Sequence, residues 1–131
     1  MVTKKLITSF AALILLAGCS STGSATTVNL NVSEFSQKIT EPNVVILDVR
    51  TPEEFASGHI KGAINIDFNS GDFENEITRL NPSETYAIYC RSGSRSGKAA
   101  SIMHLAGFHD VSNLNGGVID WSNEGLPLVV S

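Results

Sequence analysis

Short runs of β-branched residues, each followed by a well-signalled helix start, predict an α/β fold. Its expected core is a small, mostly parallel central sheet flanked by helices on both faces. Three observations carry this. Asn43–Val49 and Thr85–Tyr89 are apolar almost throughout rather than alternating, which is how strands buried on both faces of a parallel sheet read. Thr51-Pro52-Glu53-Glu54 supplies a capping threonine, a proline at the first helical position and a glutamate three residues after the cap. Strand and helix signals then alternate to the end of the chain, with no internal repeat.

Taken in order, Thr26–Leu30 is expected as a first strand. Ser33 is placed to cap a short helix through Ile39, bounded by Pro42. Asn43–Val49 forms the second strand, and the helix capped by Thr51 stops at Gly58. Ala63–Ile66 reads as another short strand, and Asp72–Leu80 as a helix closed by Asn81-Pro82. Thr85–Tyr89 runs directly into Cys90. A Ser/Gly-rich turn, Arg91–Gly93, leads into a helix from Ser94 to Ala106, ended by Gly107. Within it Ala99, Ile102, Met103 and Ala106 recur at i, i+3, i+4 and i+7, a stripe that should face the sheet. Val111–Leu114 is the last strand, Asn115-Gly116-Gly117 a turn, and Val118–Trp121 a short closing helix.

Composition bounds the function. With 131 residues, 42 % of them hydrophobic, the chain has enough apolar material for one packed domain and too much for a disordered one. A formal net charge of −4 lacks the basic excess of a nucleic-acid binder. Two cysteines and three histidines, at no metal-ligand spacing, argue against a zinc or iron–sulfur site.

The N-terminus has its own logic. Lys4 and Lys5 precede the apolar run Leu6–Ala17, which is shorter than the roughly 20 residues a spanning helix needs. Charge, apolar run and small residues in that order read as an export signal. Its end, Leu16-Ala17-Gly18-Cys19, resembles the lipobox of bacterial lipoproteins. That resemblance implies cleavage before Cys19 and a lipid on its sulfur. Three segments are therefore expected: 1–18 a lipoprotein signal peptide, 19–27 the lipidated cysteine and a flexible Ser/Thr-rich tether, and 28–131 the folded domain. Two or three acyl chains anchor stably where one binds only marginally, so the membrane is an expected partner, through the N-terminal lipid. The expected location is the bacterial cell envelope. In a Gram-negative cell it is the periplasm-facing outer membrane, since Ser20 is not the aspartate that signals inner-membrane retention. With Cys19 lipidated, Cys90 is the sole free thiol and no intramolecular disulfide can form.

The chemistry concentrates at Cys90-Arg91-Ser92-Gly93-Ser94-Arg95-Ser96. In an open α/β sheet, sites form where strands end at their carboxyl edge and loops enter helices. Cys90 sits at such a point, where successive backbone N–H groups can form an anion nest and the helix adds the positive end of its dipole. Gly93 lets the loop curl tightly, the serines are small, and Arg91 and Arg95 add cations. A free cysteine has a pKa of about 8.5, and helix N-termini or nearby cations lower it to roughly 3.5–7.5. The pattern describes an activated sulfur nucleophile. The competing reading is a small buried hydrophobe at a strand end, a common place for cysteine. It leaves the two arginines, the glycine and the helix start unexplained.

Asp48-Val49-Arg50-Thr51-Pro52-Glu53-Glu54-Phe55, followed by Gly58-His59-Ile60-Lys61-Gly62-Ala63-Ile64-Asn65-Ile66, resembles the N-terminal signature of single-domain rhodaneses. So do the Cys90–Ser96 loop and the tail Asn115-Gly116-Gly117, Trp121 and Gly125-Leu126-Pro127. The segments occur in the family's order. The resemblance implies the rhodanese fold and a sulfurtransferase, with no metal and no organic cofactor. Cys90 would carry a sulfane sulfur from a small sulfur-containing anion such as thiosulfate to a thiol or cyanide. A monomer is expected, and the net charge of −4 argues against a nucleic-acid partner. Arg91 matches a position where thiosulfate-using relatives often carry a basic residue. Ser92, Gly93, Ser94, Arg95 and Ser96 would bind substrate, mainly through backbone N–H groups.

Two other functions fit the same fold. One is a non-catalytic, lipid-anchored binding module, although inactive relatives typically lose the loop cysteine. The other is a thiol-dependent phosphatase or arsenate reductase, whose Cys-x5-Arg loop would need arginine where Ser96 stands. Thiol redox work outside the cytoplasm would need an external partner thiol. Arg50 has two readings: a cation lent to the donor site, or one half of a structural ion pair with Asp48. His59 is expected to fix its Gly-His-Ile turn, His104 and His109 to lie away from the loop, and Trp121 to serve as a core or lid residue.

Overall fold

The computed structural model describes residues 26–130. The readings of 1–18 as a signal peptide and of Cys19 as a lipidated cysteine lie outside the described residues, as does most of the tether. Five strands, β1 (Val28–Leu30), β2 (Val44–Asp48), β3 (Ile64–Asn65), β4 (Thr85–Tyr89) and β5 (Asp110–Leu114), form one sheet in the order β1-β5-β4-β2-β3. Every pairing is parallel. Parallel neighbours need crossovers, and these carry helices α1 (Val32–Lys38), α2 (Pro52–Ser57), α3 (Phe73–Glu76) and α4 (Ser94–Leu105), with α5 (Gly117–Asn123) closing the chain.

The two central strands divide the interior into two cores. Along β4, Tyr86 and Ile88 point to one face, where they pack with Phe73, Ile77, Ala99 and Met103 from α3, α4 and the turn between them. Ala87 and Tyr89 point to the other, against Phe35 of α1 and Trp121 of α5. Phe35 meets both Tyr89 and Trp121 edge to face, at 6.4 Å and 6.3 Å between ring centres. Cys90 continues the row of Tyr86 and Ile88, and Asp48 is in register with Tyr89. That parity decides which side chains can meet at the carboxyl edge.

Several local expectations shift. Asn31, not Ser33, caps α1: its side chain accepts from the Glu34 N–H at 2.9 Å and Glu34 accepts from the Asn31 N–H at 2.9 Å. Asparagine caps as well as serine does, and only the Asn31 register puts a glutamate at the third position. The single helix expected over Asp72–Leu80 divides into α3 and a 3₁₀ turn, Ile77–Arg79. The approach to Pro82 disfavours further α-helical backbone and tightens the last turn. A second 3₁₀ turn, Phe68–Ser70, was not signalled by periodicity and is started by the Asp67 carboxylate accepting from the Asn69 N–H. On α4 the buried stripe is Ser96, Ala99, Ala100 and Met103. Ala106 falls outside it, because the helix ends at Leu105 and Ala106 is its exposed cap.

Asp48 and Arg50 form a buried pair at the end of β2, the guanidinium Nη2 lying 2.7 Å from Oδ2 and 2.7 Å from the Gly58 carbonyl oxygen. Asn65 donates to the carbonyls of both Asp48 and Arg50, so the cluster ties β2, the end of α2 and β3 together. Removing one partner of a buried pair leaves an uncompensated charge. Arg50→Ala is expected to lower unfolding stability by about 3–5 kcal/mol, measured by denaturant titration, whereas a solvent-exposed arginine would cost well under 1 kcal/mol.

Candidate active site

β4 delivers Cys90 to the carboxyl edge of the sheet, where the chain turns through Arg91–Gly93 into α4. Cys90 is fully buried, and its Sγ accepts hydrogen bonds from the Gly93 N–H at 3.1 Å and the Ser96 hydroxyl at 3.3 Å. Burial pushes the thiol up. The Ser96 hydroxyl and then the Ser96, Ser92 and Gly93 amides outweigh it, so the Cys90 pKa falls below its ordinary value. Gly93 caps α4 with a left-handed φ of 95° and no side-chain cap, which leaves the amides of the helix start to the sulfur.

The loop holds this shape because its carbonyls are bound elsewhere. The first turn of α5 donates from Val118 to the Cys90 carbonyl at 3.0 Å and from Ile119 to the Arg91 carbonyl at 3.1 Å. With the C=O groups fixed toward α5, the N–H groups of the following residues are free to converge on Sγ. Gly117 makes the approach possible. Its φ is 58°, and an added Cβ would lie 2.6 Å from the Cys90 carbonyl oxygen and collide with that of Arg91. Asn113 of β5 donates to the Gly93 carbonyl at 3.3 Å and to Asn29 of β1 at 3.0 Å, anchoring the loop across the sheet.

The three arginines meet different fates. Arg50 shares the carboxyl edge with Cys90, but its guanidinium stacks 5.7 Å over the Tyr89 ring, on the opposite face from Cys90's row. Held by Asp48 and Gly58, it forms the buried ion pair that is one of its two readings in sequence. Arg95 is half-buried, and both of its terminal nitrogens donate to Glu54 of α2, at 2.8 Å and 3.0 Å. This bidentate pair holds the Glu54 carboxyl below its usual range. Arg91 and Ser92 are exposed at the rim, and Arg91 has no carboxylate partner among the described residues.

The histidines lie apart from this chemistry. The His59 ring stacks on Phe55 at 3.7 Å with Nδ1 2.9 Å from the Phe55 carbonyl, and its backbone pairs with Val129, so it fixes its turn. His104 bonds the Phe108 carbonyl and His109 is exposed. Trp121 is a core residue whose Nε1 donates to the Pro127 carbonyl.

Three participants escaped the sequence reading. Glu54 was accounted for by its helix cap, and nothing local reveals a partner 41 residues away. Gly117 read as part of a turn, although two consecutive glycines after a strand were a usable signal for close backbone approach. Asn113 carried no signal at all.

Residues 31–124 match the Rhodanese-like domain family, and the chain belongs to it as a single Rhodanese-like domain. It is 33 % identical over 101 residues to a sulfurtransferase of Allochromatium vinosum, covering 76 % of this chain and 92 % of that one. It is 41 % identical over 91 residues to thiosulfate sulfurtransferase 16, chloroplastic, of Arabidopsis thaliana, covering 62 % and 76 %. Among solved structures, a rhodanese-related protein from Thermoplasma volcanium superposes with a TM-score of 0.70 at 29 % identity, covering 79 % of this chain and 99 % of that one. The chain is therefore similar throughout its domain to members of a sulfur-transferring family.

Ser96→Ala removes the hydroxyl that most favours the thiolate, so the pH midpoint of Cys90 alkylation by iodoacetamide is expected to rise and the rate at neutral pH to fall. Gly117→Ala should cost far more, of the order of tenfold or greater in the same rate, because the carbonyls it displaces set the direction of the loop amides.

Proposed function

We propose that this protein is a thiosulfate sulfurtransferase working through a Cys90 persulfide. The Cys90 thiolate attacks the outer sulfur of thiosulfate; the S–S bond of the donor breaks and sulfite leaves with the electron pair. The terminal sulfur of the resulting persulfide is anionic and is held by the amides from Arg91 to Ser96. Cyanide or a thiolate then attacks that sulfur, forming thiocyanate or a new persulfide and returning Cys90 as its thiolate. No net oxidation or reduction of the enzyme is required over the cycle.

The observation that carries this reading is the pair of donors on Sγ, 3.1 Å and 3.3 Å away, at the start of α4. Donors so placed stabilise the Sγ thiolate that attacks the donor sulfur. Support also comes from the names of the relatives, which include sulfurtransferases. The phosphatase or arsenate reductase alternative lacks its arginine: Ser96 occupies that position, and the guanidinium one residue earlier is engaged by Glu54. In this reading the domain acts in the bacterial envelope, tethered by lipid on Cys19, and the support for that is the leader sequence alone.

The test incubates the full chain and its Cys90→Ser variant with thiosulfate, following intact mass, sulfite release and thiocyanate formation on adding cyanide. Wild type is expected to gain one sulfur atom and lose it to cyanide, and the variant to do neither. A folded, reduced wild type that gains no sulfur and releases no sulfite would refute the thiosulfate reading.

A further inference from the structure

Glu54 is bound twice, and unequally. In α1 the same motif is relaxed: Glu34 accepts from the cap N–H of Asn31 at 2.9 Å. In α2 the equivalent distance, from the Thr51 N–H to Glu54 Oε1, is stretched to 3.5 Å, while the Arg95 guanidinium sits at 2.8 Å and 3.0 Å. The carboxylate keeps only long contacts with its own helix cap, the Thr51 N–H and the Thr51 hydroxyl at 3.3 Å, and makes its short ones to Arg95 of α4. Arg95 is the residue immediately before Ser96, whose hydroxyl bonds Sγ, so it stands in the first turn of α4 and interacts electrostatically with Cys90 from there.

We propose that Glu54 is a positioning residue for the Cys90 loop: it holds Arg95 and masks its charge, so that of the three arginines at this edge Arg91 is the one that meets an anionic donor. Asp48 engages Arg50 in the same way on the other face. The site thus presents converging amides and one unpaired guanidinium instead of three. This inference rests on Cys90 as the sulfur nucleophile, but its charge logic can be read without sulfur transfer.

The other charged groups around the loop are accounted for. Arg95 also faces Asp67, which precedes the Phe68–Ser70 turn. Glu54 feels Arg50 at a distance. From α5, the Asp120 carboxylate lies over Gly116. Of these, only Glu54 contacts the Arg95 guanidinium among the described residues.

The test is the pH dependence of Cys90 alkylation in the full chain, following the peptide that carries Cys90 so that Cys19 does not enter. Glu54→Gln keeps an oxygen for the α2 cap while unmasking Arg95; Arg95→Gln leaves the carboxylate unopposed. Charge masking moves the two midpoints in opposite directions, down for Glu54→Gln and up for Arg95→Gln, and the double variant returns to the wild-type midpoint. The KM for thiosulfate should fall several-fold in Glu54→Gln and rise in Arg91→Gln, each with a smaller change in kcat. If the pair merely braces the loop, both single variants shift the midpoint the same way and the double variant resembles either one. That result, or a Glu54→Gln midpoint that does not move, overturns the proposal. Wild type that forms no persulfide with thiosulfate would defeat the sulfurtransferase reading and leave the alkylation experiment to decide this one.

Discussion

Everything at the carboxyl edge of the sheet depends on where two carbonyl groups point. The C=O groups of Cys90 and Arg91 accept hydrogen bonds from Val118 and Ile119 in the first turn of α5. Peptide planes are rigid, so fixing a carbonyl on one side fixes the next N–H on the other. The Arg91 and Ser92 N–H groups are therefore turned away from α5, a helix that contributes no side chain to the Cys90 loop. The glycine at 117 is the steric condition for that contact.

The electrostatics follow from the same economy. A buried sulfur in an apolar row would ordinarily resist ionisation. Here the hydroxyl of Ser96 and three amides reverse the preference, and they do so as preoriented dipoles that need no rearrangement when the sulfur changes its bonding. Cationic side chains are largely withdrawn into pairs with Asp48 and Glu54. A cradle built from backbone recognises a charged sulfur without recognising much else about its bearer.

The pairs also tie the site to the scaffold. Asp48–Arg50 joins β2 to the end of α2 and, through Asn65, to β3. Glu54–Arg95 joins the start of α2 to the start of α4. Asn113 reaches from β5 to the loop and to β1. Each link crosses between elements far apart in the chain, so the loop geometry is a property of the whole sheet edge.

By itself the sequence determined the parallel α/β architecture, the α2 cap at Thr51, the strand running into Cys90 and the loop that follows it. These are local facts: β-branched runs, a proline at a helix start, a glycine that permits a left-handed turn. Where two local signals competed, as with Asn31 and Ser33, register with a glutamate three residues on was the better guide. Only the tertiary structure decided which arginine is free. Arg50 has two readings in sequence and Arg95 shows no partner there; in the structure strand parity turns Arg50 toward Tyr89, and Glu54, 41 residues away, captures Arg95. Partners at that separation are chosen by the packing of the sheet, and no local pattern records them.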